Sequence, residues 1–173
     1  MIGTGPGEPA PSAADASPFR TVRHLEDFLV GERFRLGSIA ADRERILAFA
    51  EAFDPQPFHL DEDAARRSLL GGLAASGWHI AVLLNRALSD RLLADSAVVS
   101  IEAVDELRWL LPLLPDAPLA VEAEVLAVAP AEDGVGSVVL GVVAATATGE
   151  PAARMTCRVA LRSADGRAAE RRE

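Results

Sequence analysis

The sequence contains no lysine and no tyrosine, and all 17 of its basic residues are arginine. Without lysine the chain has no side-chain amine for a Schiff base or for general-base catalysis, and without tyrosine it lacks one more candidate acid. The single cysteine, Cys157, excludes an internal disulfide and a cysteine-ligated zinc cluster, and it fits a reducing cytosol. Because Cys157 falls within an alternating strand pattern, we expect a small core residue and not a nucleophile.

Long hydrophobic runs and a basic surface are also missing. The nearest approach to a membrane span, residues 98–114, is interrupted by charged residues and by Pro112. The N-terminus has neither the basic nor the apolar region of a signal peptide, so we expect a cytoplasmic protein. A net charge of -9 and a pI of about 4.8 argue against nucleic-acid and anionic-membrane partners.

Hydrophobic residues, in contrast, are plentiful enough for a full core, at 50% of 173 positions. We expect one domain at residues 18–163. Residues 1–17 are rich in glycine, proline, alanine and serine, which predicts a disordered arm. The charged residues 164–173 predict a flexible tail.

The spacing of apolar residues predicts helices and then a series of strands. Helices are expected at residues 41–53, 62–68 and 76–93, with Asp42 as the N-cap of the first. The last of them is apolar around most of its circumference, so we expect it to be buried on more than one side. Extended segments are expected at residues 28–36, 98–111, 118–129, 135–147 and 151–162.

Turn sequences at residues 132–134 and 148–151 join the last three strands into an antiparallel meander. The first of these strands alternates clearly, and four residues are expected on its buried face: Val121, Ala123, Val125 and Ala127. One long buried helix combined with antiparallel strands predicts an α+β domain, in which a curved sheet wraps around a central helix. That arrangement is the hot dog fold.

The segment FDPQPFHLD, residues 53–61, carries the candidate chemistry. Asp54 and His59 lie five positions apart in a loop with two prolines, and a long helix begins near Gly77. A carboxylate and an imidazole can hold a water molecule and move its protons, while a helix N–H can stabilise charge on a carbonyl oxygen. This combination suits water addition to an activated carbonyl compound.

Simpler interpretations compete with this one. An aspartate before proline is often a turn residue, and a single histidine in a loop is often a surface residue. Asp54, His59 and Asp61 are potential metal ligands, but without a further histidine or cysteine we expect no metal.

The same segment resembles the D-x-N-P-x-H-x-D signature of the MaoC-like dehydratases, the R-specific enoyl-CoA hydratase family. The resemblance runs from residue 48 to about residue 92, with weaker similarity at residues 107–112 and 121–125. It implies a hot dog fold, a homodimer or higher homo-oligomer with sites at the dimer interface, and an acyl-CoA thioester as substrate. It also implies that coenzyme A enters only as part of the substrate, with no separate cofactor.

Carried over by position, the resemblance assigns Asp54 and His59 as the catalytic pair and the Gly77 N–H as the donor to the thioester oxygen. The implied reaction is reversible syn hydration of a trans-2-enoyl-CoA to an (R)-3-hydroxyacyl-CoA. Which of the two side chains acts as the base stays open, as do the acyl group, the physiological direction, and acyl carrier protein as an alternative to coenzyme A.

The sequence departs from the family pattern around the expected pocket. The usual asparagine of the signature is Gln56, and the usual His-Gly-Met is Ser76-Gly77-Trp78. A small serine of some hydratases corresponds to Asn85. His79 is either a packing residue or a pocket wall, and Trp109 is expected to make a core or dimer contact. The candidate pocket residues are therefore Gln56, Ser76, Trp78, His79 and Asn85.

Arg66, Arg67 and Arg108 are the candidates for binding the phosphates of coenzyme A, because arginine pairs with phosphate bidentately. A solvated helix face is the alternative for the first two. Two other functions are alternatives: a hot dog acyl-CoA thioesterase, and a non-catalytic acyl-thioester-binding subunit. The long helix has no aspartate or glutamate between residues 76 and 88, which disfavours the thioesterase, and the Asp54–His59 pair disfavours the binding subunit.

Overall fold

Five antiparallel strands and one long helix dominate the computed structural model, which describes residues 22–165. The predictions for residues 1–17 and 166–173 lie outside the described residues. The strands run in the order β1-β3-β4-β5-β2 across one sheet. Their bounds are β1 Arg33–Ile39, β2 Val98–Trp109, β3 Leu119–Glu132, β4 Val135–Ala145 and β5 Pro151–Arg162. The predicted α+β hot dog fold is confirmed.

The central helix, α4, spans Gly77–Arg91, and Ser76 is its N-cap residue. Ile80, Leu84 and Leu88 are fully buried and belong to the same core as the inner face of the sheet. On the other side of α4, Trp78 is 58% exposed and Val82 is 55% exposed. Burial of this helix on more than one side was therefore a wrong prediction for the single chain.

The meander of β3, β4 and β5 follows the predicted turns. Asp133 and Gly134 both have positive φ, which is the geometry of a two-residue hairpin that continues the strand twist. In β3 the register shifts between Val125 and Ala127. Because an extra residue reverses the alternation, Ala127 is exposed, and its predicted burial was wrong.

Residues 28–36 were predicted to be extended, but the first strand begins only at Arg33. Gly31 has a φ of 85° and donates its N–H to the carbonyl of Val125, so the chain turns there before it joins the sheet. Phe28 precedes this turn and is buried in the core instead of pairing in the sheet.

Three shorter helices lie between β1 and α4: α1 Arg43–Phe53, α2 Pro57–Leu60 and α3 Glu62–Arg67. Asp42 caps α1 as predicted, accepting the N–H of Arg45 at 2.8 Å. Residues 54–59 were predicted as a loop, yet His59 lies in α2. The reason is Pro57, whose fixed φ suits the first position of a helix.

The C-terminal end of β5 is tied to the N-terminal part of the chain. Ser163 is buried, and its hydroxyl donates to the carboxylate of Glu26, which also accepts the N–H of Ala164 at 3.1 Å. The Ser163 hydroxyl, followed by the Ala164 N–H, holds the pKa of Glu26 below its usual value. The predicted flexible tail therefore starts with an anchored residue at 164.

Among residues 22–165, no helix is long and apolar enough to cross a membrane.

Candidate active site

His59 is buried, and a single hydrogen bond sets the orientation of its ring. Its Nδ1 lies 2.9 Å from the carbonyl oxygen of Ala74. A carbonyl can only accept, so Nδ1 carries the hydrogen and donates it. The neutral ring then presents a lone pair at Nε2, which is the form that can accept a proton.

Asp54 is the C-cap of α1 and directs its carboxylate toward this ring. Its Oδ2 lies 3.6 Å from His59 Nε2 and accepts the hydroxyl hydrogen of Ser76 at 2.6 Å. A separation of 3.6 Å is too long for a direct hydrogen bond. A water molecule that touches both groups can therefore donate one hydrogen toward each.

One segment, residues 74–77, holds both side chains, and its first three residues are buried. Its Ala74 carbonyl binds His59, its Ser76 hydroxyl binds Asp54, and Gly77 is the first residue of α4. The segment is itself fixed to the β2–β3 connection, since the N–H of Ala75 donates to the carbonyl of Leu113 at 2.9 Å. The first N–H groups of a helix have no partner within it and carry its partial positive charge. Base, carboxylate and N–H donors are thus gathered within a few residues.

Trp109, at the end of β2, covers Gly77. The indole Nε1–H donates to the Gly77 carbonyl at 2.7 Å, and a Cβ built on Gly77 would lie 2.6 Å from an indole carbon. Glycine at this position is therefore required by packing, whatever it does for a substrate. The sequence predicted a core or dimer contact for Trp109. Its contact with the site spans 32 residues, and no local pattern signals it.

Next to this contact, a cavity of about 290 Å³ opens onto the imidazole. Its walls are mostly apolar. The lining groups that can exchange a proton or donate a hydrogen bond to a ligand are the His59 imidazole and the backbone of Gly77. The other lining residues are Phe58, Leu70, Ala75, Ile80, Trp109, Leu110, Leu111 and Pro112. A ligand entering this space meets the His59 imidazole and the start of α4 together.

A second cavity, of about 330 Å³, lies between the exposed side of α4 and strands β2 and β5. Two of the predicted pocket residues, Trp78 and Asn85, line it, along with Val82, Leu107 and Met155. The rings of Trp78 and Trp109 meet edge to face, 5.5 Å apart. Because each ring lines a different cavity, this pair of rings stands between the two spaces.

The other predicted pocket residues lie elsewhere. Ser76 is buried, and its hydroxyl group contacts Asp54 and no cavity. Gln56 is exposed and is the N-cap residue of α2, but its side chain makes no capping hydrogen bond. The structure therefore does not bring Gln56 to the walls of either cavity.

His79 belongs to α4, and its side chain packs against α1. Its ring stacks on Phe49 at 4.4 Å, and its buried Nδ1 has no hydrogen-bond partner within residues 22–165. Burial, followed by the charge of Arg45, lowers the pKa of His79, which favours the neutral ring. Since it lines neither cavity, the packing interpretation of His79 fits better than the pocket wall.

The three candidate phosphate ligands differ in how their charge is used. Arg66 pairs with Asp63 at 3.0 Å, and Arg108 pairs with Glu106 at 2.7 Å. Arg67 has no acidic partner within the described part of the chain. All three side chains are exposed. Arg67 is therefore the candidate whose charge is available to a ligand.

Cys157 is buried in the core as predicted, and burial raises the pKa of its thiol to about 11. A thiol with so high a pKa is a poor nucleophile at neutral pH.

In the described range 22–165, no three histidine, cysteine, aspartate or glutamate side chains lie close enough together to hold a metal ion. Asp61, a candidate ligand in the sequence, accepts the N–H of Ala64 and caps α3.

Both the sequence and the fold are similar to those of known proteins. The family model described as "MaoC like domain" matches residues 27–148. A crystal structure of the MaoC-like dehydratase from Rhodospirillum rubrum is 40% identical, covers 80% of this chain and 96% of that chain, and superposes with a TM-score of 0.73. The (R)-hydratase from A. caviae involved in PHA biosynthesis is 21% identical, with coverage of 78% and 97% and a TM-score of 0.61. It shares the fold.

Among curated proteins, the uncharacterized protein YdeM of Bacillus subtilis (strain 168) is 28% identical over 113 residues. That alignment covers 65% of this chain and 79% of YdeM.

Proposed function

The chain belongs to the MaoC-like domain family, and we propose that it is a hydro-lyase that adds water reversibly to a trans-2-enoyl-CoA thioester, giving an (R)-3-hydroxyacyl-CoA. Within the family, the coarser assignment to hydratases and dehydratases rests on the matched domain and on its structural relatives. The choice of reaction and substrate is our proposal.

The observation that carries the proposal is the gap between Asp54 and His59. Two groups that bind the same water molecule must face each other without a direct hydrogen bond between them. Oδ2 of Asp54 and Nε2 of His59 are 3.6 Å apart, which meets this condition. The Ala74 carbonyl fixes the tautomer that leaves Nε2 free to accept. His59 is therefore the better candidate for the general base, with Asp54 orienting the water.

In the proposed hydration, the water oxygen bonds to C3 of the enoyl thioester while Nε2 of His59 takes one of its protons. The electron pair of the C2–C3 double bond shifts toward the thioester, whose oxygen becomes negatively charged. The imidazolium then returns the proton to C2 on the same face, which gives syn addition and restores neutral His59. The reverse sequence is a dehydration.

The negative charge on the thioester oxygen needs a donor in a nearly water-free place. We propose the N–H of Gly77, at the first position of α4, where the helix dipole adds to the effect. The reaction proposed here uses side chains and backbone alone and requires no metal or redox cofactor.

The apolar acyl chain is proposed to extend into the cavity beside Trp78 and Asn85, whose walls are mainly apolar. An aliphatic acyl group fits such walls better than a dicarboxylic one, because a second carboxylate would be buried without a cationic partner. The phosphates of coenzyme A are proposed to pair with Arg67.

We also propose that the chain forms a homodimer through β2. Within the described residues this strand pairs only with β5, so its other edge has free N–H and C=O groups. Val99, Ile101 and Val104 are exposed along β2, and the last two line the cavity beside the exposed side of α4. A long edge with apolar side chains is a template for pairing with another strand.

The experiment that tests the function is a hydration assay with crotonyl-CoA and a panel of longer and branched trans-2-enoyl-CoAs. Loss of the ultraviolet absorbance of the conjugated thioester is followed, free thiol is assayed in parallel, and the product alcohol is resolved by chiral chromatography. Absorbance loss with the (R)-alcohol and no thiol supports the proposal. Thiol release would identify a thioesterase instead, and inactivity across the panel would contradict enoyl hydration.

A further inference from the structure

Ser76 is fully buried, and its hydroxyl group is engaged in both directions. Its oxygen accepts the N–H of Trp78 at 3.1 Å, which makes Ser76 the N-cap of α4. Its hydrogen goes to Oδ2 of Asp54 at 2.6 Å. The direction is unambiguous, because an ionised carboxylate has no hydrogen to give and can only accept.

The bond to Asp54 is more than helix capping requires. Capping uses only a lone pair of the serine oxygen. The hydroxyl hydrogen is left over, and here it forms a short, charge-assisted hydrogen bond with the carboxylate oxygen that faces His59. Without it, the side chain of Asp54, which is 21% exposed, would have no hydrogen bond within residues 22–165 to keep it from turning toward solvent.

We infer that Ser76 is a positioning residue: its hydroxyl fixes the carboxylate of Asp54 opposite His59 and ties that carboxylate to the first turn of α4. The inference rests on the proposed hydration for its catalytic meaning. His59 is held by the Ala74 carbonyl of the same segment, and the proposed thioester donor, Gly77, follows directly. Ser76 thereby sets the distance between the water site and the thioester site.

The rival explanation is that Ser76 serves only as an N-cap, and two substitutions separate the roles. Ser76→Gly keeps most of the capping strength, since glycine is a good N-cap, while Ser76→Ala loses it. Both lose the hydroxyl bond to Asp54. If Ser76 positions Asp54, both variants should lower kcat about 10- to 100-fold with little change in KM. If it only caps α4, Ser76→Gly should keep a kcat close to that of the unchanged protein.

Asp42→Ala is the matched control for loss of a helix cap. Asp42 caps the far end of α1 and does not touch the pair, so this variant should lower the melting temperature and change kcat less than about twofold. A kcat loss in Asp42→Ala equal to that in Ser76→Ala would overturn the inference, because capping alone would then explain it.

Crystal structures of the unchanged protein and of Ser76→Gly give a readout that does not depend on activity. We expect the Asp54 carboxylate to rotate and its distance to His59 Nε2 to exceed 3.6 Å. An unmoved carboxylate would overturn the positioning role, even if the protein is an active hydratase. A moved carboxylate in a protein that hydrates no enoyl-CoA would support the positioning and contradict the proposed function.

Discussion

His59 is the single residue on which the proposed chemistry depends most directly. His59→Ala removes the group that takes the proton of the attacking water, and Asp54→Asn removes the charge that orients it. We expect each to lower kcat for crotonyl-CoA by about 10²- to 10⁴-fold. Circular dichroism should show that both variants stay folded.

Asp63→Asn is a suitable control for these substitutions, because Asp63 is an exposed carboxylate on α3 that pairs only with Arg66 among the described residues. Its activity should match that of the unchanged protein. Full activity in folded His59→Ala and Asp54→Asn would show that the site lies elsewhere.

The two adjacent arginines of α3 offer a second comparison between single residues. Arg67 has no acidic partner in the described part of the chain, whereas Arg66 is already neutralised by Asp63. We expect Arg67→Gln to raise KM for crotonyl-CoA about tenfold and Arg66→Gln about twofold or less, with kcat unchanged. Steady-state kinetics measures both.

Crotonyl-pantetheine, which lacks the nucleotide phosphates, shows whether this effect comes from phosphate binding. With that substrate, Arg67→Gln and the unchanged protein should have the same KM. A KM increase of the same size with both substrates would place the arginine's influence on something other than phosphate.

Helix α4 and strand β2 meet at Gly77, and the contact is too close for any side chain. We expect Gly77→Ala to reduce the free energy of unfolding by about 1–3 kcal/mol, because the added methyl would overlap the Trp109 indole. Urea denaturation measures the loss. Adding Trp109→Leu should restore part of it by removing the ring that the methyl meets.

Gly72→Ala is the control for this substitution. A Cβ at Gly72 would meet nothing within 4 Å, so its unfolding midpoint should change little. An equal loss in Gly77→Ala and Gly72→Ala would mean that glycine flexibility, and not the Trp109 contact, explains the effect.

The elements themselves followed well from the sequence, because each depends on local periodicity. The cap at Asp42, the alternating strands and the turn at Asp133-Gly134 all involve residues close together in the chain. The misplaced features arose where one residue changed the local geometry, such as the bulge that exposes Ala127 and the turn at Gly31 that delays β1.

The site was predicted only in part, for a related reason. The Asp54–His59 spacing is local, and a motif can carry it. The hydrogen bond from Ser76 to Asp54 spans 22 residues and that from Trp109 to Gly77 spans 32. Such contacts depend on how α1, α4 and β2 pack together, and no spacing rule in a single sequence specifies that packing.

At the scale of the whole molecule, the two edges of the sheet are unequal. The register of both edge strands is irregular, with one shift in β1 and three in β2, but β1 spans only Arg33–Ile39 whereas β2 spans Val98–Trp109. The β2 edge is longer and carries exposed apolar residues. We therefore expect Val104→Glu, at a position 53% exposed, to convert a dimer into a monomer. Light scattering coupled to size-exclusion chromatography measures the mass.

Leu126→Glu tests whether any new surface charge has the same effect. Leu126 is 48% exposed on β3, away from the β2 edge, so this variant should stay dimeric. A protein that is monomeric without substitution would rule out the proposed dimer, and dissociation of both variants would show that the interface is not confined to β2.

The contact between Trp78 and Trp109 has an optical consequence. The chain has two tryptophans and no tyrosine, and both indoles lie at the walls of the cavities beside α4. Essentially all of its intrinsic fluorescence therefore originates at the walls of the two cavities proposed to hold the thioester. Rings 5.5 Å apart also couple electronically, so near-ultraviolet circular dichroism should contain a paired signal from them. Binding of an unlabelled thioester can thus be followed in a titration by the intrinsic tryptophan fluorescence of the protein.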